Sequence, residues 1–142
     1  MTTAGSTLAL SATLPATYDA TGYNALSWTV VGEVTDLGEA GKAFNTVNHS
    51  PVGSRRIIKL KGSFNNGSLQ FQFGRDFSDA GQTAFLTALG VDTAYSFRMV
   101  LQNGKKLYFT GLVMDFKYKV GSVDQVTAAS STVELVSDIV EV

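Results

Sequence analysis

Lys59-Leu60-Lys61-Gly62-Ser63-Phe64-Asn65-Asn66-Gly67-Ser68-Leu69-Gln70-Phe71-Gln72-Phe73-Gly74 sets the fold class of this chain. Apolar and polar residues alternate with a period of two on both sides of an Asn-Gly pair. That period belongs to a strand with one buried face. Asn-Gly suits the positive φ angles of a type I′ turn, whose twist matches paired strands. With Asn66-Gly67 as the loop, Phe64 faces Leu69, Gly62 faces Phe71 and Leu60 faces Phe73. The alternate pairs, Ser63 with Gln70 and Lys61 with Gln72, are polar. A one-residue slip would exchange the two faces, so the clean split favours this register. The expectation is an amphipathic hairpin from Arg55 to Gly74.

A second Asn-Gly pair, Asn103-Gly104, joins two further apolar strands. A two-residue loop there sets Val100 opposite Leu107 and Arg98 opposite Phe109. Tyr95, Phe97, Met99 and Tyr108 lie on the other face. Both faces are then apolar near the turn, and such a hairpin needs cover on two sides. The cover is either the chain's own helix or a neighbouring subunit, which makes Val100, Leu107 and Phe109 candidate interface residues. Between the two hairpins lies the one good helical window. Asp79 stands three residues before Gln82 at capping-box spacing. Ala80 to Leu89 follows, and Gly90 sits where a helix ends.

The remaining segments fit the same class. Leu26 to Thr35 reads as a strand, with Trp28 and Val30 on one face. Lys105 to Val120 reads as a long strand bent near Gly111, followed by a turn near Gly121 and a last strand from Val126 to Val136. Residues 1–22 read as an arm or short edge strand with a loop, and 137–142 as a terminal arm. Residues 38–53 form a long loop with a weak strand candidate at Phe44 to Asn48. The expected architecture is one domain over 1–142, all-β with one flanking α-helix, as a β-sandwich or barrel. The loop and both arms hold too little apolar pattern to be ordered by their own packing.

Composition narrows the function. The 142 residues carry a net charge of −1, no cysteine and a single histidine. Disulfides, thiolate metal sites and cysteine nucleophiles are therefore excluded. The charge lacks the basic excess of a tight nucleic-acid binder. Neither a signal peptide nor a membrane span is visible in the sequence. His49 lies in the least patterned segment with no acid near it, and no Gly-x-Ser-x-Gly elbow or phosphate loop is present. Asp76 and Asp79 flank a helix start, where capping accounts for them. No catalytic, cofactor or metal residues are expected.

One dense charge feature remains: Arg55, Arg56, Lys59 and Lys61. It reads as a phosphate contact, as an ion-pair interface, or as an ordinary solvated strand face that discourages edge aggregation. Glu33, Asp36 and Glu39 are the candidate acidic partners, within the subunit or across a boundary.

The order of features resembles the major tail tube proteins of long, non-contractile-tailed bacteriophages. The resemblance is borne by Leu26 to Gly38, by Val47-Asn48-His49-Ser50-Pro51, and by Arg55-Arg56 with Lys59 to Gly62. It continues through Asn66-Gly67 to Asp76, Asp79-Ala80-Gly81-Gln82 and Gly121-Ser122-Val123-Asp124. It implies a structural, non-enzymatic subunit without cofactor. Such subunits form homohexameric rings whose lumen barrel is completed between subunits, and the rings stack into a tube. Expected partners are further copies of the chain, the tape measure protein, tail terminator and tip proteins, and DNA passing through the lumen. The expected location is the virion tail, assembled in the host cytoplasm. A tube of a contractile injection or type VI secretion system shares these features. A β-sandwich ligand-binding module would rely on Tyr18, Tyr23 and Trp28.

Overall fold

The computed structural model describes residues 4–39 and 41–142. In chain order its elements are β1 (Thr7–Ser11), α1 (Ala20–Asn24), β2 (Thr29–Val31), β3 (Val34–Asp36), β4 (Ala43–His49) and β5 (Ile58–Asn65). There follow β6 (Ser68–Gly74), α2 (Ala80–Leu89), β7 (Tyr95–Val100), β8 (Lys106–Lys119), β9 (Ala128–Leu135) and β10 (Val140–Glu141). Eight strands form one sheet in the order β2-β1-β7-β8-β9-β6-β3, with β10 beside β8. β2 and β3 stand at opposite ends of that order, yet only Gly32 and Glu33 separate them. The sheet must therefore curl until its edges meet at one turn, and no ladder closes it.

The curl encloses the core. Leu69, Phe71 and Phe73 of β6, Phe97 of β7, Phe109 of β8 and Val133 of β9 are at most 1% exposed. Phe85 of α2 fills the middle, 6.0 Å from the Phe71 ring and 5.8 Å from those of Phe73 and Phe97. Burying each such side chain contributes about 1.5–3 kcal/mol. Gly81 lets α2 approach β2, because a Cβ there would lie 2.5 Å from the Val30 carbonyl oxygen and the Val31 Cα. Gln82 is fully buried beneath the helix start. Its Nε2 donates to the carbonyls of Gly32 (3.1 Å) and Gly74 (2.8 Å), and its Oε1 accepts from Arg75 Nη1 and the Asp76 N–H. One side chain thereby joins the β2–β3 turn, the end of β6 and α2.

Several expectations are met and several are corrected. The helix spans Ala80 to Leu89, with the Asp79 carboxylate accepting from the Gln82 N–H at 2.9 Å. Gln82 does not complete the capping box, because its amide is committed to the core. A second helix, α1, is added where a loop was expected. The strand over 26–35 is broken into β2 and β3 by the turn at Gly32 and Glu33, the latter at φ 61°. β1 lies between β2 and β7 rather than waiting for a partner, with Leu8, Ala9 and Leu10 buried. The 137–142 segment folds back, and β10 pairs with Leu107 and Tyr108.

Neither hairpin register is the expected one. β5 pairs with β4, while β6 pairs with β9 and β3. Asn66-Gly67 moves the chain from one sheet to the other: the Gly67 N–H donates to Asn65 Oδ1, and its carbonyl accepts from the Leu135 N–H. The second turn has three loop residues, Gln102 to Gly104, closed by the Leu101 N–H on the Lys105 carbonyl at 2.8 Å. Gly104 adopts φ 85°, as the last position of such a loop requires. Phe97 therefore faces Phe109, and Arg98 faces Tyr108.

The second face of β7–β8 is covered, as its apolar character demands, by the chain itself. The Tyr108 ring stacks on Tyr23 of α1 at 5.0 Å and contacts Trp28 at 5.7 Å, and its hydroxyl donates to Asn24 Oδ1. The Arg98 guanidinium lies over the Trp28 ring at 5.3 Å. Burial raises the pKa of both Tyr23 and Tyr108. The Ser137 hydroxyl opposes that rise at Tyr23, and Arg98 opposes it at Tyr108.

Candidate self-assembly surface

β4 and β5 form a two-stranded arm of their own. Ladder pairs run from Phe44 with Phe64 through Val47 with Leu60 to His49 with Ile58. The register shifts between Phe44 and Thr46, and the same segment explains Gly62. A Cβ there would lie 2.7 Å from Val47 Cγ2. On β5, Ile58, Leu60, Gly62 and Phe64 alternate with Lys59, Lys61 and Ser63, so the arm has an apolar and a polar face. Both faces are open. Phe44, Val47, Leu60 and Phe64 are 45–53% exposed. An isolated two-stranded ribbon is marginal in water. This one is braced by the Phe44–Phe64 contact at 5.3 Å, with Lys42 over the Phe64 ring and Lys61 over the Phe44 ring.

The candidate interface residues fall into three places. Lys59 and Lys61 are on β5, opposite Asn48 and Thr46, and Arg55 and Arg56 lie in the segment leading into it. Glu33 is in the β2–β3 turn, Asp36 is on β3 opposite Gln72, and Glu39 follows. Asp36 Oδ1 accepts from the Gly38 N–H. None of the three acids pairs with the arm's cations within the subunit. Among the described residues the one ion pair joins Lys42 to Asp138 at 3.1 Å. The third group lies on β7 and β8 of the main sheet. Phe109 is fully buried and stacked on Phe97 at 5.3 Å. Leu107 is half-buried against the core, and Val100 pairs with Thr7 and Lys106.

The acids near the helix start are engaged locally. The Ser78 hydroxyl and N–H hold the Asp76 carboxyl below the usual range, and Asp79 accepts from both Gln82 and Gly32 N–H groups. His49 is exposed on β4 opposite Ile58. Sequence reading missed Phe44, Val47, Leu60 and Phe64 as surface residues. Their alternation announces a face without saying what covers it. A further signal is available in the sequence: 41–67 contains no aspartate or glutamate.

No protein-family model and no curated protein matches the sequence. Solved structures do match. A chain of the anti-feeding prophage baseplate superposes with TM-score 0.72 at 13% identity, covering 96% of this chain and 91% of that one. A chain from the sheath/tube terminator of the PVC extracellular contractile injection system gives TM-score 0.72 at 4% identity, over 100% and 96%. The SPP1 tail tube gives 0.65 at 13%, over 96% and 75%. The chain has the tail-tube fold. This fold accommodates both the curled sheet flanked by α2 and the exposed β4–β5 arm. At these identities the likeness is one of fold.

Proposed function

We propose that this chain is a structural subunit that polymerises into stacked rings, six copies to a ring, to form a bacteriophage tail tube through which DNA is ejected. The observation behind this reading is the β4–β5 arm on a tail-tube fold: a ribbon with both faces exposed on an otherwise well-buried body. A row of exposed apolar residues on unpaired strand edges invites pairing with another chain. The lumen barrel is then completed between subunits, and the tape measure, terminator and tip proteins are its further partners. The assembled chain belongs to the virion tail and forms in the host cytoplasm. No catalysis is involved.

A second reading has its own support. The two structures from contractile injection systems give TM-score 0.72 and are covered over 91% and 96% of their length, against 0.65 and 75% for the SPP1 tail tube. An inner tube of a contractile injection or secretion system is therefore the alternative. Negative-stain microscopy and light scattering of the purified chain test the shared claim. Rings or tubes are expected, and a strict monomer at high concentration would defeat both readings. Co-purification with a sheath protein from the native particle would select the second.

A further inference from the structure

Residues directly opposite each other on an antiparallel ladder share a face. The ladder of β4 and β5 therefore gathers Phe44, Val47, Ile58, Leu60 and Phe64 on one side, each 42–53% exposed. Thr46, Asn48, Lys59 and Lys61 gather on the other. The loop joining the strands, 50–57, mixes the same two chemistries. Val52 is 106% exposed and Ile57 57%, and Arg55 and Arg56 between them are exposed as well. The Ser54 N–H on the Pro51 carbonyl and the Arg56 N–H on Ser54 Oγ fold this loop locally. Segment 41–67 holds five cations and no aspartate or glutamate. At the base of the ribbon Lys42 pairs with Asp138, and Glu141 lines the same recess, so that cation is offset. The eight residues of β5 separate the base from the loop by about 25 Å, more than two Debye lengths at physiological salt. Among the described residues Arg55, Arg56, Lys59 and Lys61 have no ion pair.

We propose that in the free subunit this ribbon adsorbs to an anionic lipid surface, with its apolar face at the acyl boundary and its four unpaired cations among the headgroup phosphates. The inference goes beyond the self-assembly reading and does not depend on it. As with an amphipathic helix in the interface, the apolar face sinks about 5–10 Å and each nearby lysine or arginine adds attraction to anionic headgroups. A protein laid on one face of the ribbon serves that face alone. A headgroup layer, about 5–8 Å deep on each side of the hydrocarbon, surrounds the ribbon and serves both faces and the loop together. A duplex nucleic acid would satisfy the cations through its phosphates and leave the five apolar side chains in water.

Flotation with vesicles tests the contact. The purified chain is mixed with phosphatidylcholine vesicles and, separately, with vesicles of phosphatidylcholine and phosphatidylglycerol in equal parts. Binding to the second and not to the first is expected, weakening as salt is raised. Lys59→Gln with Lys61→Gln should lower the vesicle affinity about 25-fold, at about fivefold for each cation. Leu60→Ser with Phe64→Ser should lower it at least about tenfold by removing apolar area from the interface. All four positions are exposed, so both variants should melt like the wild type. No flotation with the anionic vesicles would overturn the proposal. So would an undiminished affinity of the Leu60/Phe64 variant, which would reduce the contact to charge alone. Release of the bound chain by duplex DNA at equal phosphate would also overturn it and assign the cations to nucleic acid. Microscopy of the same preparations keeps the two readings apart. Tubes without flotation remove the lipid contact and keep the assembly, and flotation without tubes does the reverse.

Discussion

β5 and β6 are consecutive strands with the same alternation of apolar and polar residues, and they meet opposite fates. Leu69, Phe71 and Phe73 are at most 1% exposed, whereas Leu60 and Phe64 are 53% and 51% exposed. The difference lies in their neighbours. β6 runs between β9 and β3 with α2 across its inner face, while β5 has only β4. Alternation specifies that a strand has an apolar side, and tertiary context determines whether that side is filled. Here the chain fills one and leaves the other exposed, so the same substitution should have opposite consequences in the two strands.

That contrast gives the largest expected effect. Phe71→Ala removes a side chain touching both Phe85 and Phe97. It should cost about 3–5 kcal/mol in folding, read by denaturant melting. Phe64→Ala should change subunit stability by less than about 0.5 kcal/mol, as exposed positions do, while suppressing tubes in the microscope. A large loss of stability from Phe64→Ala would place the arm inside the cooperative core and erase the distinction.

Gln82 sharpens the body side of the comparison. Gln82→Leu keeps the volume but leaves the carbonyls of Gly32 and Gly74 and the Asp76 N–H without their partner. Buried polar groups stranded in this way cost about 1–3 kcal/mol. The loss should appear in thermal melting, with hydrogen exchange quickening at the β2–β3 turn and the start of α2 and unchanged on β4–β5. A wild-type melting curve would show that the curled sheet is held at its seam by something else.

Much of the body was legible because its signals are local. Asp79, the helix formers after it and Gly90 mark α2, and Leu69-Phe71-Phe73 marks the inner face of β6. What was not legible depended on long-range choice. Asn66-Gly67 has the chemistry of a hairpin turn, but the Gly67 carbonyl is taken by Leu135, and β9 displaces β5 as the partner of β6. At Asn103-Gly104 one additional loop residue moved Phe109 onto the Phe97 face and out of the candidate interface. α1 is five residues long with no apolar period, and its one local mark is the Asp19 carboxylate accepting from the Gly22 N–H. At the candidate surface on β4–β5 the cations Lys59 and Lys61 were visible by their charge, whereas Phe44 and Phe64 were indistinguishable from core residues.

The tyrosine pair behind β7–β8 gives a pH-dependent distinction. Burial raises the pKa of Tyr23 and Tyr108, so the folded chain holds protons that the unfolded chain releases near pH 10. The stability linked to this difference is fully present below about pH 10 and is lost as pH rises through the folded values. Absorbance titration should show tyrosine ionisation extending above the ordinary range, as the raised values of Tyr23 and Tyr108 require. Melting temperature should fall across the same alkaline window. Replacing Tyr23 with Phe should shrink that fall. An unchanged fall in the variant would assign the alkaline loss to other groups.

The smallest effect expected is at the joint between arm and body. Lys42 and Asp138 make the one ion pair among the described residues, and both side chains are well exposed at 36% and 61%. Lys42 leads into β4, and Asp138 lies in the bend between β9 and β10, so the bond spans the arm's base. Solvent and salt screen such a pair, and two flexible side chains must be fixed to make it, so its coupling should be about 0–1 kcal/mol. A double-mutant cycle with Lys42→Ala and Asp138→Ala measures that coupling directly, free of the separate effect of each truncation. Hydrogen exchange on β4–β5 should quicken in either single variant while β6 and β9 keep their protection, because the arm has no core of its own to slow its opening. Coupling well above 1 kcal/mol, or exchange that quickens in β6 and β9 together with the arm, would mean that arm and body fold as one unit. The exposed faces of β4 and β5 would then need a reason other than a waiting partner.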